Sequence, residues 1–255
     1  MTAIRQTALE HQYGGEKHFR WRGGEISRVE GFTDAVFAFA VTLLVVSLEV
    51  PRTFNDLLVT MRGFLAFAIC FTMLIYLWHL HYVYFRRYGL QDTVTITLNA
   101  LLLFVVLFYI YPLKFLFTIV INSMMGIPVG IQLADGNVIS PLEPGQGPTM
   151  MYIYNAGYIA VMMLYALLYG RAYRKRGELE LNEIEAYDTR ASIQRLLVQG
   201  GVGVFSTLIV VFGGNQYDQY AGMSYFLIGP AMFVHGWVSG AQRGKLLAKI
   251  QAEKK

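Results

Sequence analysis

Apolar residues along the chain gather into six long runs, at about 31–50, 60–85, 93–121, 149–170, 190–213 and 221–241. Each is near the ~20 residues that a helix needs to cross a bilayer core. Between them stand Pro51, Gly89 and two loop segments, GIPVGIQLADGNVISPLEPGQGP (126–148) and GGNQYDQYAG (213–222), rich in residues that interrupt helices. The pattern predicts an all-α, polytopic membrane protein with six transmembrane helices and no repeat of fixed period. The third run, which carries Lys114 beside Pro112, and the glycine-rich fifth are the least regular.

The charges between the runs give an orientation. Arg5, Lys17, Arg20, Arg22 and Arg28 precede the first run, and Arg86 and Arg87 follow the second. Arg171, Arg174, Lys175, Arg176, Arg190 and Arg195 fall around the fourth-to-fifth connection, and Arg243, Lys245, Lys249, Lys254 and Lys255 close the chain. The opposite connections hold only Arg52 and Arg62. The positive-inside rule therefore places both termini in the cytoplasm of a multi-pass protein of the cell membrane. The acidic patch GELELNEIEAYD (177–188) reads as a solvated cytoplasmic helix leading into the fifth run.

Composition agrees. Of 255 residues 55% are hydrophobic and 15% charged, against about a quarter charged in soluble domains. The single cysteine, Cys70, lies in an apolar run and reads as a small buried hydrophobe, so neither a disulfide framework nor a thiolate metal site is expected. The net charge of +4 is spread over loops rather than gathered on one element, which argues against nucleic-acid binding. A polar, basic lead without a small-residue cleavage site precedes the first run, so no cleavable signal peptide is expected.

The first run opens with charge: RVEGFTDAVFAFAVTLLVVSLEVP, residues 28–51. Ionised Arg28 and Asp34 in hydrocarbon cost several kcal/mol unless paired or hydrated. With the orientation above, Asp34, the WHLH segment (78–81) and Asn99 all lie within about two turns of the inner face. Asp34, Trp78, His79, His81 and Asn99 are thus candidates for one polar layer joining three helices. Arg28 is the natural counter-charge for Asp34. On an ideal wheel it points almost the opposite way, so a pair would form between neighbouring helices or subunits. The bland alternative has these residues snorkelling to the interface. A metal or haem site at HLH is disfavoured, because His79 and His81 cannot share one helix face.

Farther along the run, Phe39, Thr42, Leu43 and Val46 fall at i, i+3, i+4 and i+7, a single stripe, with Glu49 near its outer edge. Such a stripe is ordinary in a membrane helix. Repeated around an axis, it would give hydrophobic rings that gate by dewetting, a hydroxyl ring at Thr42, and a carboxylate ring at Glu49 that concentrates cations. One chain supplies one stripe, so a pore of this kind requires a cyclic oligomer.

The segment Arg28-Val29-Glu30-Gly31-Phe32-Thr33-Asp34 resembles the R-x-x-x-F-S-D signature of the transmembrane protein 175 family, which includes the endolysosomal potassium channel and bacterial homologues. The likeness continues through AVFAFAVTLLVVSLEVP and reaches Trp78, His81 and Asn99. It extends from about residue 25 to 240, with its specific part in the first run. The resemblance implies a homotetrameric, potassium-permeable cation channel without a T-V-G-Y-G loop, its pore formed by the first helix. It implies a constriction at Phe39, Leu43 and Val46, and a hydroxyl layer at Thr42 with a potassium ion transiently beside it. Arg28, Phe32, Thr33, Asp34, Trp78, His81 and Asn99 would fasten that helix to its neighbours. Residues 1–27 and 246–255 would be cytoplasmic flanks of a channel domain at 28–245. The implied partners are potassium, other monovalent cations and the bilayer, with no cofactor and no structural metal.

Two positions depart from the family pattern. Thr33 stands for the usual serine and adds a β-branch, and Phe39 stands where a bulky aliphatic residue is more usual. A competing expectation is a proton-coupled secondary transporter using Asp34 and His81, which would show a broken helix or repeated halves. Gly200, Gly201, Gly203 and Pro230 are its support. An enzyme ranks last, for want of a nucleophile–base pair or cofactor loop.

Overall fold

The computed structural model describes residues 19–46, 52–126, 131–132, 138–214 and 217–253. It is helical apart from one two-stranded antiparallel ladder. In chain order the elements are α1 (Arg28–Val46), α2 (Phe54–Arg62), α3 (Phe64–Tyr88) and α4 (Thr93–Met124), then β1 (Ile131–Gln132) and β2 (Val138–Ile139). These are followed by α5 (Gly147–Arg174), α6 (Glu183–Gly213), the short α7 (Asp218–Met223), a 3₁₀ turn (Ser224–Leu227) and α8 (Ile228–Glu253).

Among the described residues every predicted apolar run is largely helical; the end of the first, 47–50, lies outside them. The helices α3, α4, α5 and α6 are long and apolar enough to cross a membrane. The second run divides at Gly63 into α2 and α3, and the sixth is preceded by α7 and the 3₁₀ turn. The long connection expected to be pure loop holds β1 and β2, paired Ile131 to Ile139 and Gln132 to Val138. The helix α8 continues across position 245 to Glu253.

Local chemistry sets the helix ends. Asp92 caps α4 by accepting the Thr95 N–H at 2.9 Å. Asn182 and Glu185 close a reciprocal capping box at the start of α6. Gly89 ends α3 at φ +58°, a left-handed conformation that favours glycine. Neither Pro112 nor the glycines break their helices: α4 runs through Pro112, and α6 through Gly200, Gly201 and Gly203. Thus α6 lacks the interruption that a carrier would need there.

The core lies between α5, α6, α4 and α3, with α1 packed against α3 and α4. Its middle is aromatic: Tyr84, Tyr88, Tyr165 and Tyr169 are fully buried, and Tyr84, Tyr88 and Tyr169 contact one another edge-on or tilted. Cys70 is buried, as its apolar surroundings suggested. The helix α8 packs along α6 and buries none of its residues fully.

One end of the bundle is built from charge. Here the ends of α3 and α5 meet the starts of α4 and α6 and the segment 19–27. Asp92 pairs with Arg171 at 3.2 Å and Lys175 at 3.3 Å. Burial alone would raise the Asp92 carboxyl, but the Thr95 N–H, Arg171 and Lys175 outweigh it and pull its pKa down to about 2. The acidic patch at 177–188 is not uniformly solvated. Glu185 is buried and holds Arg22 at 2.6 Å, while Arg243 binds Asp188 at 2.8 Å. The solvated-helix expectation fails because the segment ahead of α1 folds over the patch and supplies its counter-charge.

Candidate functional site

The signature residues open α1. Ser27 is its cap: the Glu30 N–H donates to Ser27 Oγ at 3.2 Å, and Ser27 N–H donates to Glu30 Oε2 at 2.8 Å. Glu30, an acid at the start of an apolar run, is therefore a capping residue.

Two hydrogen-bonded groups then tie α1 to its neighbours. In the first, Asn99 Nδ2 on α4 donates to Thr33 Oγ1 at 2.8 Å, and Asn99 Oδ1 lies 3.0 Å from His81 Nε2 on α3. All three side chains are buried. An amide oxygen only accepts, so this bond requires the Nε2–H form of His81. Phe37 and Phe85 close over the imidazole, with ring centroids 6.3 and 4.5 Å away. In the second group, Trp78 Nε1 donates to Asp34 Oδ1 at 2.8 Å. Trp78 stacks on Tyr82, which stacks in turn on His79.

The expected polar layer thus exists, as two neighbouring groups rather than one. Asp34 and His81, the two residues that the carrier reading uses, have separate partners, Trp78 and Asn99. Arg28 is exposed and forms no ion pair among the described residues, in keeping with its direction on the wheel.

The stripe lies on another side of α1. Thr33, Phe37, Ala40 and Leu44 are buried against the chain's own helices, whereas Phe32, Phe39 and Thr42 are exposed and Leu43 is half-buried. Thr42 Oγ1 donates to the Ala38 carbonyl at 3.0 Å, leaving its lone pairs outward. The Val46 side chain and Glu49 lie outside the described residues. Near the end of α1, Lys114 Nζ donates to the Leu44 carbonyl at 3.3 Å, which gives this charge in a long apolar helix an acceptor.

The segment before α1 carries features that the sequence reading missed. The Arg22 and Gly23 N–H groups donate to the Arg86 carbonyl at 3.1 and 3.0 Å. A Cβ at Gly23 would sit 2.5 Å from the Phe85 carbonyl oxygen, so only glycine allows this approach. Arg87 lies over the Phe19 ring at 4.6 Å. Residues 19–27 therefore form a strap binding the start of α1 to the end of α3 and, through Arg22 and Glu185, to α6. The NEIE capping box was a readable signal for Glu185; nothing local signalled Arg22.

Known proteins resemble this chain along most of its length. The family described as endosomal/lysosomal potassium channel TMEM175 matches residues 28–109, the segment holding both hydrogen-bonded groups. A protein named potassium channel from Marivirga tractuosa is 40% identical over 242 residues, 94% of this chain and 98% of its own. Another so named, from Chamaesiphon minutus, is 33% identical over 96 residues, 34% of this chain and 47% of its own. A crystal structure of the potassium channel MtTMEM175, a threonine-to-alanine variant bound to a nanobody–MBP fusion, matches with a TM-score of 0.77 at 37% identity. That match covers 90% of this chain and 100% of the other. These relatives are channels and not enzymes. With 40% identity carried over almost its whole length, the chain belongs to the TMEM175 family.

Proposed function

We propose that the protein is a potassium-permeable cation channel of the cell membrane, a homotetramer whose α1 helices surround the ion path. The observation that carries this reading is the two-sidedness of α1. One side is fixed to α3 and α4 through Thr33, Phe37, Ala40 and Leu44, while Phe39 and Thr42 are left uncovered. Around a fourfold axis the uncovered stripe makes rings. Phe39, Leu43 and Val46 form a hydrophobic constriction that stays dry when narrow. The Thr42 hydroxyls replace part of a potassium ion's water shell, and Glu49 draws cations to the outer mouth.

On this reading α1 and α8 cross the membrane with α3 to α6, both termini and the charged end are cytoplasmic, and residues 28–245 make up the channel domain. The Asp34–Trp78 and Thr33–Asn99–His81 groups hold the pore helix in register. The exposed Arg28 is free to reach a neighbouring subunit. The names of the relatives support potassium as the ion.

Flux from liposomes loaded with the purified protein tests this, comparing potassium, caesium and sodium gradients at fixed pH. Passive potassium flux with slower sodium supports the channel. Flux that appears only with an imposed proton gradient would replace it with the carrier.

A further inference from the structure

A cavity of about 670 Å³ lies between α3, α4, α5, α6 and α8, within the usual ~300–1,000 Å³ of small-molecule pockets. Leu77, Ile110, Val161, Met162 and Ile228 contribute to its mostly apolar wall. Arg195 also lines it, three turns into α6 and inside the apolar run that starts near residue 190. The flanking-charge reading thus placed Arg195 too far out. Its Nε is buried without a hydrogen-bond partner, and the guanidinium is in no ion pair among the described residues.

The surroundings of Arg195 narrow what would satisfy it. None of the lining residues is Asp or Glu. Two turns back on α6, Asp188 is held by Arg243 through both carboxylate oxygens, at 2.8 and 3.0 Å. One turn deeper, Gln199 is bonded to Tyr76 and to Met232 Sδ, so the floor is already satisfied. Across from Arg195, α8 presents His235 and Ser239 to the same space. An unpaired cation thus stands beside histidine, serine and glutamine side chains in a mostly apolar cavity, on a helix long and apolar enough to cross a membrane. Arg195 as a whole is half-buried, but its Nε is shut away without an acceptor, and an anion in the cavity would supply one.

We infer that this cavity takes one acyl chain of an anionic lipid, with the headgroup phosphate held at Arg195. The chain fills the space between α3, α5 and α8, and the phosphate accepts from the guanidinium as a charge-assisted pair. Such a lipid would fix α8, which has no fully buried residue of its own, against α6.

The test is native mass spectrometry of the full-length protein, offered phosphatidic acid or phosphatidylcholine of identical chains at equal concentration. The expected result is about tenfold preferential retention of phosphatidic acid, a preference that Arg195→Gln abolishes and Arg195→Lys largely keeps. Met162→Trp, which fills the apolar space, should lower retention of both lipids. Equal retention of the two lipids by the wild type would overturn the proposal, as would an unchanged preference in Arg195→Gln. Stabilisation of lipid-free protein by inorganic phosphate, lost in Arg195→Gln and unaffected by Met162→Trp, would also overturn it, because the site would then be for a free anion. Dissociation of the oligomer in Arg195→Gln with lipid retention unchanged would overturn it too, marking Arg195 as a subunit contact. None of these readouts depends on ion conduction.

Discussion

The indole N–H of Trp78 donates to the Asp34 carboxylate at 2.8 Å, joining α3 to the exposed side of α1. A carboxylate at the end of a membrane helix is stabilised by a donor that is itself anchored, and Trp78 is held by stacking on Tyr82 at 5.6 Å.

Trp78→Phe keeps the ring and deletes the donor, leaving Asp34 with water alone. A hydrogen bond to a charged group is worth about 1.5–3 kcal/mol, and the exposure of Asp34 puts this one at the low end. For the proposed tetramer, the expected outcome is less oligomer at a given detergent concentration, with the potassium-to-caesium flux ratio unchanged. Size-exclusion chromatography and liposome flux on the same preparation check both halves. An intact oligomer with altered selectivity would move Asp34 from anchoring to the ion path.

Asn99 is the middle of a buried chain, so its loss orphans two partners. Asn99→Leu leaves Thr33 and His81 buried without the amide that both of them bond, and each unsatisfied group costs about 1–3 kcal/mol. Thermal unfolding of the purified protein should fall clearly for Asn99→Leu. Thr33→Ser, which keeps the hydroxyl and removes one methyl, should shift it far less. A larger loss in Thr33→Ser would mean that the methyl's packing, and not the hydrogen bond, fixes α1.

The strap depends on a buried ion pair. Glu185→Ala removes the carboxylate partner of the Arg22 guanidinium but leaves it the Arg20, Leu179 and Glu180 carbonyls, so the loss should fall below the about 3–5 kcal/mol of a fully broken buried pair. Glu185→Gln should be milder, because it still accepts hydrogen bonds. Limited proteolysis near residue 27 should be faster in the alanine variant, and equal rates would show that the strap is held without the Glu185 carboxylate.

The acid limb of stability follows from the same end of the bundle. The Asp92 carboxyl is depressed to about 2 from 3.8. At Glu185 burial pushes the pKa up, but hydrogen bonds from Arg22, Asn182 and Arg20 outweigh it and hold it below 4.5. For a depressed carboxyl the stabilisation is complete above the ordinary value and is lost as pH falls through the folded one. Unfolding temperature should therefore be level above pH about 5 and fall from about 4 towards 2. Asp92→Asn, which preserves a capping side chain, should flatten part of that fall in a pH series. A fall of the same depth in wild type and variant would place the acid-sensitive groups elsewhere.

Much of this was legible in the sequence because the bilayer simplifies the problem. The second, third and fourth apolar runs became helices ending within a few residues of their expected ends, whereas α6 starts seven residues before its run and α8 runs twelve beyond the sixth. Asp34, Trp78, His81 and Asn99 were brought together by depth alone. What the sequence did not disclose was long-range. Arg22 and Glu185 are 163 positions apart, and nothing local marks them as partners. Glu30 pairs reciprocally with Ser27 as a cap, a role that its place in the signature segment does not disclose. Arg195 read as a flanking charge because loop counting ignores which way a helical side chain faces. Ala40 and Phe39 are adjacent in the chain, yet one is buried and the other 55% exposed. Hydropathy ranks them alike, and only the packing of α1 on α3 and α4 separates them.

That separation is the centre of the account, and thiol accessibility tests it most directly. In a Cys70→Ala background, which removes the single native cysteine, potassium flux is measured in liposomes before and after silver ion, with Thr42→Cys compared against Leu44→Cys. The uncovered position 42 should confer block and the packed position 44 should not. Flux through Thr42→Cys that silver leaves untouched would contradict a pore lined by α1.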